Sequence, residues 1–173
     1  MKIKEMPLEE KYDKLLDGYW LNVIGSYALV KELGAVDKAL DLSMKVSAKM
    51  FPTRVGIAFD LLKAIAPGTA FNQLVDNYAY SMQMFLSPQD IELNRVSDRE
   101  ATLRVNNCPI LKRVRSLVKK TGLDIEPKFY CEVESKITQG AAKEFGIDMV
   151  TTLEENGCIL TAKLRVPLII LSG

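Results

Sequence analysis

The side chains with the greatest chemical capacity in this sequence are three cysteines, Cys108, Cys131 and Cys158. A cysteine can act as a nucleophile, bind a metal ion as the thiolate, or pack as a small apolar side chain. The chain contains no histidine, which excludes serine–histidine and cysteine–histidine catalytic pairs and all histidine metal ligands. Any chemistry must therefore use Cys, Asp, Glu, Lys, Tyr or a bound cofactor.

Each cysteine stands at the start of a predicted element. Cys108 precedes Pro109, a favoured first helical residue, so it is predicted near a helix N-cap, where free amide groups and the helix dipole favour a thiolate. Cys131 lies in the first turn of the next predicted helix, and Glu134 shares its face. Cys158 begins the last strand, on its apolar side. Three thiolates that converge on one corner, with one carboxylate, would complete a tetrahedral zinc site.

Two other interpretations of the cysteines stay open. The sequence has no CxxC pair, and buried free cysteines are commonly inert core residues. The third interpretation is a reactive thiolate, for which Cys108 is the best placed because of its N-cap position.

Two predicted hairpins, with two helices between them, position the cysteines. In chain order, the predicted elements are strands near Ile91 to Val96 and Ala101 to Val105, helices from Pro109 to Thr121 and from Phe129 to Phe145, and strands from Ile147 to Glu154 and from Cys158 to Val166. Gly122 and Gly146 are predicted to end the two helices. The last two strands are joined across Glu155-Asn156-Gly157, where Asn-Gly is a strong hairpin-turn signal because both residues tolerate positive φ.

The first half of the chain has helical periodicity. The predicted helices run from Leu8 to Leu33 with Gly34 as a cap, from Val36 to Met50, from Pro52 to Pro67-Gly68, and from about Thr69 to Phe85. Gly18, Gly25 and Gly56 inside these helices each cost about 1 kcal/mol relative to alanine. Close helix packing or a dimer contact is the simplest explanation for them.

Composition and pattern together predict one α+β domain over residues 1–173. A helical half, residues 1–88, is expected to pack on a four-stranded antiparallel sheet made of two hairpins in residues 89–173. With 23 basic and 22 acidic residues, nothing predicts a nucleic-acid partner. No apolar run approaches the roughly 20 residues that span a membrane, and the charged start is no export signal. We therefore predict a cytoplasmic protein with free thiols.

Several short segments resemble a known group of domains. They are Asn107-Cys-Pro-Ile-Leu111, Phe129-Tyr-Cys-Glu-Val-Glu134, Gly140, Glu144-Phe-Gly146, and Thr151 to Leu164 with its Asn-Gly-Cys-Ile-Leu160. Their order resembles the 4-vinyl reductase domain group and the related L-2-amino-thiazoline-4-carboxylic acid hydrolase-like proteins. The resemblance covers about Asn94 to Val166. The chain differs from the group in three respects: Cys131 precedes Glu134 where its sensors place the glutamate first, the turn before Cys158 is shorter, and Leu153 stands where many members have another cysteine.

The resemblance implies a dimeric α+β domain with a hydrophobic ligand pocket beside a cysteine-rich zinc site that includes one glutamate. Carried over by motif, the zinc ligands would be Cys108, Cys131, Glu134 and Cys158. The hydrolase-like branch implies instead that the cysteines are catalytic or metal-binding and that the substrate is a cyclic thiazoline.

The candidate pocket residues are aromatic or contain sulfur, and they come from the helical half: Trp20, Phe71, Tyr78, Met82 and Phe85. Such side chains make adaptable apolar walls. The alternative interpretation is that they form helix–helix core. Tyr78 and Tyr80 project from different helix faces, so only one of them is expected to line a pocket.

Three functions follow from these observations. The first is a sensor-like domain that binds a hydrophobic or aromatic small molecule and carries a structural zinc ion. The second is a hydrolase for a small cyclic thiazoline or amidine-like substrate that uses Cys108 or a metal-bound water. The third is a homodimeric adaptor without chemistry. Whether the protein is an enzyme is left open by the sequence.

Overall fold

The computed structural model of the protein describes residues 6–165, except for the side chains of residues 48–61. The predicted α+β fold is confirmed, with helices preceding a four-stranded sheet. The elements are α1 Leu8–Glu32, α2 Val36–Ile65, α3 Pro67–Met82, β1 Ile91–Ser97, β2 Glu100–Val105, α4 Pro109–Thr121, α5 Phe129–Glu144, β3 Ile147–Leu153 and β4 Cys158–Leu164. Within the described part of the chain, no helix is both long and apolar enough to cross a membrane.

The sheet consists of the two predicted hairpins, joined by pairing between β2 and β4. Its strand order is β1-β2-β4-β3, and every neighbouring pair is antiparallel. Ala101, Leu103 and Val105 are buried at alternate positions of β2, as expected for a strand with one face on the core. Val166, the predicted end of β4, lies outside the described residues.

The prediction of two helices between Val36 and Pro67 is wrong, since α2 continues through Pro52 as one helix. Proline in a helix interior removes a backbone hydrogen bond and costs about 3 kcal/mol. Because α2 packs against both α3 and α5, tertiary contacts favour the continuous helix. Pro67 does not end a helix but begins α3, which fits the preference of proline for the first helical position.

The predicted hairpin between β3 and β4 is confirmed, but the positive φ expected at Asn156 and Gly157 is not found. Four residues, 154–157, connect β3 and β4, and the Glu154 N–H donates to the Gly157 carbonyl at 2.9 Å. Neither Asn156 nor Gly157 is among the positive-φ residues. Glycine is required at 157 for a different reason, because an added Cβ would lie 1.9 Å from the Val105 carbonyl oxygen.

The expectation that glycines in α1 allow close helix packing is wrong within the chain. A Cβ at Gly18 or at Gly25 would meet nothing within 4 Å. Leu15 and Leu29, which share this open side of α1, are 70% and 57% exposed. The predicted dimer contact stays a prediction. The side chains around Gly56 in α2 are outside the described part of the structure.

The core divides into three clusters that connect the helices with the sheet. One lies between α3, α5 and the sheet and includes Phe71 and Ile147. A second lies between α1, α4 and α5 around Trp20. The third surrounds Leu103 and carries the cysteines of α4 and β4 at its edge. The predicted cap Gly122 has φ 68° and its N–H donates to the Val118 carbonyl, which fixes the end of α4.

Candidate functional site

A cavity of about 960 Å³ lies between helices α2, α3 and α5 and the inner face of the sheet. Most of its described walls are apolar, and they include Leu74, Leu103, Phe145 and Leu160. Small-molecule pockets typically measure about 300–1,000 Å³ and combine apolar walls with a few polar groups. The cavity therefore has the size and the lining of a ligand site.

Two polar residues of the cavity wall face each other from α3 and α5. Tyr78 on α3 and Thr138 on α5 both line the cavity, and burial raises the pKa of Tyr78 to about 12, partly opposed by a hydrogen bond with the Thr138 side chain. The phenol is therefore protonated at neutral pH and available as a hydrogen-bond donor.

Glu134 lies one helical turn before Thr138 and also lines the cavity. Glu134 is an exposed residue, and partial burial of its carboxyl by the surrounding protein raises the pKa of that group. After burial, the charge of Glu134 is among the causes that raise the pKa values of Tyr78 and Tyr130. Glu134 is thus a residue of the cavity wall that lies close enough to Tyr78 and Tyr130 to influence their pKa values.

The three cysteines come together at the corner where α4, α5 and β4 begin. Cys108 is the N-cap of α4 and its N–H donates to the Asn156 carbonyl at 2.8 Å. Cys158 opposes Val105 on β2. Burial, with a smaller contribution from the nearby Cys131 and Cys108, raises the pKa of Cys158 to about 12. The three thiols are therefore within electrostatic reach of one another.

Each of the three thiols has a different acidic side chain nearby. The acidic side chains that raise the pKa values of the thiols are Asp90 for Cys108, Glu132 for Cys131 and Glu154 for Cys158. Glu134 is not among them. Among the side chains that the structure describes, residues 6–47 and 62–165, no group of three or more Cys, Asp or Glu is arranged to hold a metal ion, and zinc stays a prediction.

Burial opposes the thiolate that the N-cap position of Cys108 favours. Backbone hydrogen bonds from Ile110 and Leu111 lower the pKa of Cys108, as expected at a helix start. Burial raises it by more, and the net shift is upward from 9.0. At neutral pH the thiol is therefore protonated.

Of the five predicted pocket residues, Tyr78 lines the cavity, and the other four are not among its described lining residues. Trp20 is buried against the rings of Phe85 and Tyr130. Phe71 lies in the cluster between α3, α5 and the sheet, and Met82 packs against the cluster around Leu103. Tyr80 is 74% exposed, in agreement with the expectation that only one of the two tyrosines faces a pocket.

Sequence reasoning missed the contribution of α5 to the cavity. Ile137, Thr138, Ala141 and Phe145 line it together with Glu134. Their spacing of three and four residues marks one helix face. The signal was a glutamate on a face that is otherwise apolar or small, which is unusual for a core helix.

Comparison with known proteins adds no assignment. The chain matches no family model, and no curated protein matches it at a significant level. The resemblance to the 4-vinyl reductase domain group therefore stays a prediction.

Proposed function

We propose that the protein binds a hydrophobic small molecule in the cavity between the helices and the sheet. The observation that carries this proposal is the volume of about 960 Å³ with predominantly apolar walls. Protein interiors are close-packed, and voids larger than a water molecule are few. A space of this size is better explained as a binding site than as a packing defect.

The arrangement of polar groups supports binding of an oriented ligand. Tyr78, Glu134 and Thr138 lie on adjoining helices, while Leu103 and Leu160 of the sheet provide apolar walls. A few polar groups in an apolar pocket fix the orientation of a ligand and give specificity.

The proposal includes a structural metal at the cysteine corner. Its support is the approach of Cys108, Cys131 and Cys158, since thiolates are the preferred ligands of structural zinc. When bound, zinc would hold the thiols deprotonated and contribute to folding stability. Cys108 and Cys158 pack on the same cluster as Leu103 and Leu160, which ties this corner to the cavity wall.

We further propose that the protein acts as a sensor-like homodimer in the cytoplasm. All three cysteines are free thiols, which agrees with a reducing compartment. The hydrolase alternative needs a thiolate or a metal-bound water. Because burial raises the pKa of each of the three thiols, the structure favours binding over thiolate catalysis.

A neutral apolar dye, N-phenyl-1-naphthylamine, tests the proposal. We expect its fluorescence to rise saturably with one site per chain. Ala141→Phe fills the cavity, because Ala141 lies in its wall, and should abolish the signal. Val150→Phe is the matched control, since Val150 is 60% exposed on β3 and lies outside the described wall. Absence of saturable binding, or equal binding by the two variants, would refute the proposal.

A further inference from the structure

Glu134 is a carboxylate without a partner in an apolar cavity. It takes part in no hydrogen bond or ion pair within the described structure, and burial is the cause of the upward shift of its pKa. The described lining of the cavity contains no Lys or Arg. The negative charge of Glu134 is therefore not compensated by the part of the chain that the structure describes.

Glu132 and Glu134 are both exposed residues of α5, but only Glu134 belongs to the described wall of the cavity. Its carboxylate is the one charged group among the described lining residues. An exposed carboxylate in the wall of an apolar cavity is placed to meet the charged head group of an amphiphile whose apolar part enters the cavity.

The neighbours of Glu134 show which kind of group would fit. Tyr78 lines the cavity with Glu134, and burial raises the pKa of its phenol to about 12, so that Tyr78 is neutral at physiological pH. Thr138 adds one hydroxyl. This end of the cavity therefore offers one negative charge surrounded by neutral hydrogen-bonding groups, which complements a ligand cation.

We propose that the ligand is an amphiphilic amine whose ammonium group pairs with Glu134 and whose apolar body contacts Leu74, Leu103 and Phe145. This inference rests on the proposed binding function. A charge-assisted hydrogen bond is roughly twice as strong as a neutral one. Glu134 would therefore decide specificity between an amine and a neutral molecule of the same shape.

The test compares octylamine with octanol, which share an apolar chain and differ in the head group. Affinities are measured at pH 7.5 by displacement of N-phenyl-1-naphthylamine from the full chain. Because the ammonium group of octylamine can form a charge-assisted hydrogen bond with the exposed Glu134 and the hydroxyl of octanol cannot, we expect the wild-type protein to bind octylamine about threefold to tenfold more tightly than octanol. Glu134→Gln should weaken the affinity for octylamine by a similar factor and leave the affinity for octanol nearly unchanged. Glu132→Gln is the matched control and should preserve the preference.

The outcomes separate this inference from the function on which it rests. Equal affinity of the wild-type protein for the two ligands, or an unchanged preference in Glu134→Gln, would overturn the amine assignment while dye binding still supports the cavity. Failure of the dye to bind would overturn both. The wild-type comparison does not depend on a variant, so it decides the question even where Glu134→Gln folds poorly.

Discussion

The α-carbon of Gly157 lies against the backbone carbonyl of Val105, so that a Cβ at position 157 would lie 1.9 Å from the carbonyl oxygen. Real Cβ atoms do not approach so closely, and the obstacle is backbone, which cannot rotate away. This contact lies beside the pairing of Val105 with Cys158 and beside the hydrogen bond from Cys108 to Asn156. Gly157 therefore allows the β3–β4 connection to reach the cysteine corner.

Gly157→Ala is expected to destabilise the protein by about 1–3 kcal/mol, the usual cost of overpacking. The physical reason is that β2 and the 154–157 connection must separate to admit the methyl group. The free energy of unfolding, measured with urea, checks this prediction.

A matched glycine-to-alanine substitution in α1 should change the free energy of unfolding in the opposite direction. Gly18 lies inside α1, and a Cβ there meets nothing within 4 Å. Gly18→Ala should therefore stabilise the protein by about 0.5–1 kcal/mol through helix propensity. Equal effects of the two substitutions would contradict the contact at Gly157.

The fold was predictable wherever a local signal determined the local structure. Gly122 ended α4 as expected because a helix commonly ends on a residue with positive φ. Two local signals were overridden by tertiary contacts: Pro52 predicted the start of a new helix, and Gly157 predicted a turn residue with positive φ. α2 packs along α3 and α5, and Gly157 is required by a contact with Val105, which is distant in sequence.

The metal-free protein should lose stability as the pH rises above 9. Burial raises the pKa of Cys131 from 9.0 to about 11 and that of Cys158 to about 12. The folded state therefore holds these protons more tightly than the unfolded state. The stabilisation is complete below the unfolded pKa near 9 and is lost as the pH rises through the folded values. The urea midpoint is expected to fall steadily across this window.

Lysines and the buried Tyr78 and Tyr130 also titrate at high pH, so a variant must isolate the contribution of the thiols. Cys131→Ala removes one raised pKa, and its urea midpoint should fall less steeply between pH 9 and about 11. A slope identical to that of the wild-type protein would show that burial does not hold the proton on Cys131.

The site was predictable in part. The start of α4 and the alternation in β4 located Cys108 and Cys158 correctly, because both depend on local spacing. Periodicity also shows that Phe71 and Tyr78 lie on α3, but it does not show which side of the helix meets empty space. That depends on the packing of α5 and the sheet, and so Tyr78 lines the cavity while Phe71 is enclosed in core.

The metal prediction can be tested so that the role of Glu134 is decided in the same experiment. Protein produced with zinc in the medium should carry one zinc per chain by elemental analysis, and chelation should lower its melting temperature because metal binding contributes folding energy. Cys131→Ser should lose the metal, and Lys136→Met, at an exposed position of α5, should keep it.

Glu134→Gln separates the ligand set implied by the resemblance from the arrangement in the structure. If Glu134 were the fourth ligand, this variant would lose zinc as Cys131→Ser does. Because Glu134 lines the cavity and influences Tyr78 and Tyr130, we expect Glu134→Gln to retain zinc and to lose its preference for octylamine. Zinc loss in Glu134→Gln would contradict this division of roles, and absence of zinc from the wild-type protein would contradict the metal site itself.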